Sequence, residues 1–218
     1  FFLTFDIDWA HDDILTDTID MIEKAVVSAT WFITHDTPLL ERLRNNKKFE
    51  LGIHPNFNQL LQGDVSNGRN VEEIIDSLLD IVPEAKSVRS HSMTQSSNLL
   101  RLFAQKGLIY DCNHFIPEQA DIELKPWRLW NDLVKIPYFW EDDIACLYDQ
   151  MEPVHKLKNR KGLKVFDFHP IHVFLNTESF DRYERTRPIH MSPQDLIRYR
   201  NTNEQTGARS CLVNLLKG

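Results

Sequence analysis

Two carboxylates, Asp6 and Asp8, close the apolar run that opens the chain, FFLTFDIDWA. Residues two apart on a strand point to the same side, so both acids face one space and Ile7 faces the opposite layer. An unpaired buried carboxylate is costly. Two that share a site repel and drive one pKa up. A divalent cation on one of them, or an arginine, removes the conflict. Capping of the next helix is the plain alternative, which Asp12 and Asp13 can supply instead. Further along, FELGIHPNFN holds His54 and Asn58. If Pro55 opens a helical turn, residues four apart share a face, and a His nitrogen and an amide oxygen can join Asp8 on one metal ion. Asp, His and Asn form a harder, weaker donor set than Asp, His and His. It suits zinc less firmly and leaves manganese, nickel or cobalt open.

These residues need elements that bring them together. Apolar patterning predicts strands over 1–7, 29–34, 49–54, 87–90, 108–112, 133–139 and 163–168. Helical spacing covers 14–27, 38–44, 71–82, 97–105 and a stretch from Ser192 or Pro193 to Tyr199, and the tail from Gly207 is helical or irregular. Residues 119–132 show no period and are expected as a loop. Alternation of strands and helices predicts an α/β protein with a mostly parallel sheet of about seven strands. A β/α barrel and an open doubly wound sheet both fit, and in both the active site collects at the C-terminal strand ends. Those ends carry Asp6 and Asp8; His54; Arg89, Ser90 and His91; Asp111, Asn113 and His114; and Asp167 with His169. That recurrence is a stronger signal than any single motif. No glycine-rich nucleotide-binding motif is present.

The chain has 218 residues, 42% of them hydrophobic, which suits one domain over 1–218. A net charge of -7 with no basic stripe argues against a nucleic-acid partner. No apolar run approaches the roughly 20 residues of a membrane span. Cys112, Cys146 and Cys211 are far apart and form no C-x-x-C, so a reducing cytoplasm is expected.

Thr4–Asp8 (TFDID), ATWFIT, ELGIHPNFN, VRSHS and FDFHPIH together resemble, in order and strand context, the motifs of the polysaccharide deacetylase family, the NodB-homology or carbohydrate esterase family four proteins. HPNFN, RSHS and FHPIHVFLN resemble the branch associated with O-antigen gene clusters. The resemblance implies a distorted (β/α)7 barrel and a metal-dependent de-N-acetylase acting on an N-acetylated sugar or glycan in surface-polysaccharide synthesis. It implies Asp6 as the general base, Arg89 as its partner and His169 as the general acid. It implies one divalent metal ion, zinc first, held by Asp8, His54 and Asn58. Asn58 stands where the family has a second ligand histidine. Ser90-His91 replaces a small residue and proline, so His91 is expected to bind substrate, with metal binding or loop shaping as alternatives. Trp130 is expected to stack on a sugar. Trp127, Trp140 and His11 are expected in structural or surface roles, and His172 need not face the site. Arg182, Arg185, Arg187 and Tyr183 are expected as a solvated face, or as a grip on an anionic glycan. Two other readings stay open. One is hydrolysis of a small non-sugar amide. The other is a glycan-binding protein that lost the metal, which Asn58 favours and the trio Asp6, Arg89 and His169 opposes.

Overall fold

The apolar opening becomes β1 (Phe2–Asp6), with β2 (Ala29–Ile33) and β9 (Val165–Phe168) on its two sides, both parallel to it. Strands covered on both sides read as continuous apolar runs, and Leu3 and Phe5 are buried accordingly. The structure, a computed structural model, describes residues 1–148 and 154–217. In the chain, α1 (Asp12–Ala25) joins β1 to β2, and between β2 and β9 lie α2 (Leu40–Asn45), β3 (Phe49–Ile53), α3 (Asn58–Leu61), α4 (Val71–Ile81), β4 (Ser87–Val88), α5 (Ser97–Gln105), β5 (Tyr110–Asp111), β6 (Trp127–Arg128), β7 (Val134–Lys135), β8 (Trp140–Glu141), α6 (Asp142–Leu147) and α7 (Val154–Lys158). After β9 come α8 (Pro170–Leu175), α9 (Phe180–Thr186), α10 (Pro193–Leu196) and α11 (Ala208–Leu216).

The sheet order is β6-β7-β5-β4-β3-β2-β1-β9-β8, parallel throughout except for the β6–β7 pair. It curls into a distorted, open barrel. The Leu163 N–H donates to the Leu124 carbonyl at 2.8 Å, which draws the segment before β9 toward the segment before β6. All seven expected strands are present. β6 and β8, two residues each, are additional, and β6 lies in the stretch expected as a loop.

The Phe5 ring stacks on Trp31 with centroids 4.3 Å apart in the main core. α1 is capped by His11, whose Nδ1 accepts from the Asp13 N–H at 3.1 Å, and not by the acids expected there. Asp12 instead accepts from the Thr37 hydroxyl at 2.6 Å. All six residues of α8 are buried. It packs on α1 and α11 and anchors the segment directly after His169.

Candidate active site

β1 ends at Asp6, and the chain then turns sharply, with φ of 39° at Asp8 and 54° at Trp9. Left-handed backbone is uncommon for residues other than glycine, and Asp tolerates it better than most. The Trp9 N–H donates to Thr34 Oγ1 at 3.1 Å and holds the turn. Although Asp8 is not on the strand, its carboxylate faces the same space as that of Asp6, and His54 stands between them. His54 Nδ1 lies 3.3 Å from Asp6 Oδ2, and Nε2 lies 3.3 Å from Asp8 Oδ1.

The third donor beside Asp8 is a histidine. A residue before proline avoids the α conformation, and the His54 N–H continues the ladder by donating to the Ile33 carbonyl at 2.8 Å. The helix therefore begins only at Asn58, and His54 and Asn58 share no helix face. The Asn58 amide donates to Ser92 Oγ at 2.9 Å instead. The His91 N–H donates to the Pro55 carbonyl at 3.0 Å, which brings this loop against the first. His91 Nδ1 then lies 3.4 Å from Asp8 Oδ1 and 3.3 Å from His54 Nε2.

This triangle fits a metal ion. A tetrahedral ion bound at about 2.1 Å separates its ligands by about 3.4 Å. Asp8 Oδ1 is buried with no hydrogen-bond partner, as expected of an atom that needs a cation. His54 Nδ1 faces Asp6, which directs Nε2 toward the triangle. Burial resists ionisation of Asp8, but the contacts from His54 and His91 outweigh it and hold the carboxyl well below its usual range.

Arg89 is buried behind Asp6, between the rings of Phe32 and Tyr138, 4.5 Å from each centroid. Its Nη1 donates to Asp6 Oδ1 at 2.9 Å, to Thr4 Oγ1 at 3.0 Å and to Asp167 Oδ1. Across the site, Asp142 at the start of α6 accepts the His169 N–H at 2.9 Å and faces its Nδ1 at 2.7 Å. Burial disfavours a charged imidazole, but Asp142 outweighs burial and holds His169 well above its ordinary value. Burial pushes Asp142 itself up to about 6 against the pull of His169. His169 Nε2 points toward Asp8, 3.7 Å from Oδ2, and a ring nitrogen of His169 lies within 4.8 Å of an Asp6 oxygen. Asp6, the Asp8–His54–His91 triangle and His169 thus converge, an arrangement that can supply a base, a cation site and an acid for attack of water on an acyl carbon with a protonated leaving group.

A cavity of about 460 Å³ opens on Asp8, His91 and His169 and is walled by Trp9, His172 and Tyr183. His172 therefore faces the site, with its ring stacked on Tyr183 at 4.8 Å. Arg187 also lines the cavity, whereas Arg182 and Arg185 pair with Glu178 and Asp181 one turn away. Trp130 is 68% exposed in the turn before β7 and does not line the cavity. Trp9, which contacts the His91 ring edge-on at 5.4 Å, supplies the aromatic wall instead. Asp111 and Asn113 support the site from below. Asp111 pairs with Lys135 at 2.6 Å and accepts from Asn113, which in turn accepts the Ser90 N–H at 2.6 Å. His114 packs on Trp127. Sequence reasoning missed Trp9 and Asp142. Of these, Asp142 carried a signal, one of the run of acids Glu141, Asp142 and Asp143 that closes an apolar stretch, as at the other strand ends.

A curled parallel sheet with Asp, His and Arg at its strand ends is the architecture of the polysaccharide deacetylases. The chain belongs to the WbmS-like polysaccharide deacetylase family, whose model matches residues 3–187. It is 52% identical to a Bordetella bronchiseptica protein described as a candidate polysaccharide deacetylase involved in O-antigen biosynthesis, WbmS, with a TM-score of 0.91 over 99% of this chain and 89% of that one. A candidate polysaccharide deacetylase from Mycobacterium smegmatis, 17% identical, shares the fold with a TM-score of 0.55 over 78% of this chain and 76% of that one. The comparison with curated proteins gives no match.

Proposed function

We propose that the protein removes the acetyl group from an N-acetylated sugar destined for a bacterial surface polysaccharide, as a metal-dependent amide hydrolase. The observation that carries this reading is the facing pair Asp6–Arg89 and His169–Asp142 on either side of Asp8. Amide hydrolysis needs a base for the attacking water, a polarised carbonyl and a proton for the departing amine.

Asp8, His54 and His91 are the residues that would hold one divalent ion, with zinc favoured by a donor set of one carboxylate and two imidazoles. When bound, such an ion polarises the acyl oxygen and makes water more acidic. Asp6 takes the proton of the attacking water. Arg89 donates to Asp6 and fixes its orientation. His169 enters as an imidazolium with its free Nε2 toward the cavity and gives its proton to the amine nitrogen. The cavity size suits a small sugar unit. His91 answers the absence of a ligand histidine at Asn58, which was the ground for a binding-only protein. The 52% identity to the Bordetella protein supports a place in O-antigen biosynthesis, and three free buried thiols support a cytoplasmic setting.

The test is acetate release. The protein is stripped with chelator, reloaded in turn with zinc, manganese, nickel and cobalt, and offered N-acetylated amino sugars in free, nucleotide-linked and lipid-linked form beside small non-sugar amides. Metal-dependent release from a sugar, abolished in Asp6→Asn, supports the reading. Release from the non-sugar amides alone overturns the substrate class. No release from any of them overturns the enzyme reading.

A further inference from the structure

One guanidinium faces two buried carboxylates. Thr4 and Asp167 are direct partners across the β1–β9 ladder, and Asp6 lies two residues beyond Thr4. Arg89 Nη1 touches Thr4, Asp6 and Asp167 together. The Thr4 hydroxyl also donates to Asp167 Oδ1 at 2.6 Å, and Asp167 Oδ2 is buried without a partner. Asp6 and Asp167 have 2% and 0% of their surface exposed. The mechanism above uses Asp6 and leaves Asp167 without a role.

A single positive charge cannot balance two carboxylates out of water, and such pairs keep one proton. The neighbours decide which acid keeps it. Asp6 has a second nitrogen beside it in His54 Nδ1, at 3.3 Å from Oδ2, whereas Oδ2 of Asp167 has none. Asp167 is packed among Asp6 on β1, Arg89 beyond β4, Tyr138 and Glu141 at β8, and His169 at the end of its own strand. Glu141 is itself pushed well up by burial and by Asp143. Among the described residues, the cations that act on Asp167 are Arg89 and His169, and His169 is committed to Asp142 at 2.7 Å.

We infer that Asp167 is a positioning residue for the base, a neutral carboxylic acid that locks the Arg89 guanidinium while leaving its charge to Asp6. This deepens the amide-hydrolase reading and rests on it. Burial, with Asp6 adding to it and Arg89 opposing, pushes Asp167 up to about 8. Above that pH Asp167 ionises and competes with Asp6 for Arg89, so the hold on the base loosens.

The experiment has two arms. In the first, kcat and KM are followed against pH for the protein and for Asp167→Leu and Asp167→Asn. The Leu variant loses the polar contact to Arg89, and kcat falls about 10- to 100-fold with KM nearly unchanged. The Asn variant restores most of this at neutral pH and lacks the loss of activity centred near the Asp167 transition, because an amide cannot ionise. A residue that served only packing would lower thermal stability in both variants and leave the pH profile in place, and that outcome overturns the inference. The second arm needs no turnover. Carboxyl carbons labelled with carbon-13 are titrated by NMR in the protein and in Asp167→Asn. A resonance absent from the variant that stays protonated to about pH 8 supports the inference. A resonance assigned to Asp167 by the same comparison that titrates near the ordinary value of about 3.9 overturns it. If no substrate is turned over at all, the enzyme reading fails, and the NMR arm still decides the state of Asp167.

Discussion

Asp142 grips His169 at two points, taking the backbone N–H on Oδ2 at 2.9 Å and facing the ring Nδ1 with Oδ1 at 2.7 Å. The ring therefore cannot turn, and Nε2 is committed to the side of Asp8 and the cavity. The same carboxylate stabilises the imidazolium, which burial alone would disfavour.

Asp142→Asn keeps the shape of this contact and removes its charge. His169 then falls back toward its ordinary pKa, so the proton donor is lost at lower pH. The expected result is a kcat lower by roughly 10²–10⁴ at neutral pH, the usual contribution of a positioned acid, with KM little changed. The high-pH limb of kcat also moves to lower pH. A pH profile of the variant checks this, and an unmoved limb would mean that Asp142 does not govern the acid.

The histidine triangle separates two candidate ligands directly. Asp8→Ala, His54→Ala and His91→Ala are each expected to lose the metal ion, and Asn58→Ala is expected to retain it, because its amide is turned to Ser92. Elemental analysis of the purified variants, loaded and dialysed alike, reads this without any substrate. Retention of metal by His91→Ala together with its loss from Asn58→Ala would move the site back to the loop after β3.

The barrel was legible because its strands are continuous apolar runs whose ends carry polar residues. Asp6, His54, Arg89 and His169 all declare themselves by position at those ends. What escaped depends on contacts that no spacing encodes. Pro55 read as a helix opener, but its effect on the residue before it keeps His54 in the ladder and delays the helix to Asn58. His91 reached Asp8 through one backbone bond to Pro55 between two loops distant in sequence. β6, exposed at both residues, lies in a stretch with no apolar period, and β8 begins where the apolar run over 133–139 ends, so nothing marks it as a separate strand. α8 is buried on every side, so it has no polar face to reveal it. Tyr183 sits among exposed arginines in sequence, yet its ring stacks on His172 inside the cavity wall.

Gly52 connects the core to the base. It pairs with Phe32 across β2 and β3, and a Cβ there would come within 2.8 Å of the Phe32 ring and 2.6 Å of Ser87 Oγ. Phe32 in turn forms one face of the slot that holds Arg89. Gly52→Ala is therefore expected to cost about 1–3 kcal/mol, the usual range for overpacking a core. It should also lower kcat, since the displaced ring disturbs Arg89. Denaturant unfolding beside kinetics checks both. Unchanged stability would show that the strands part to admit the methyl group.

The protonated state assigned to Asp167 has a consequence for folding as well as for rate. In the unfolded chain Asp167 ionises near its ordinary value of about 3.9, and in the folded chain it is pushed up to about 8. A group raised on folding contributes stability that is fully present below the unfolded pKa and lost as pH rises to the folded one, because the unfolded state releases the proton first. Against Asp167→Asn, which has no proton to lose, the unsubstituted protein should lose stability steadily from about pH 4 to about pH 8, and the difference should level off above that window. Urea unfolding of both proteins across this range measures it. Parallel curves would mean that Asp167 is ionised in the folded protein, and that Arg89 is shared between two carboxylates and not reserved for Asp6.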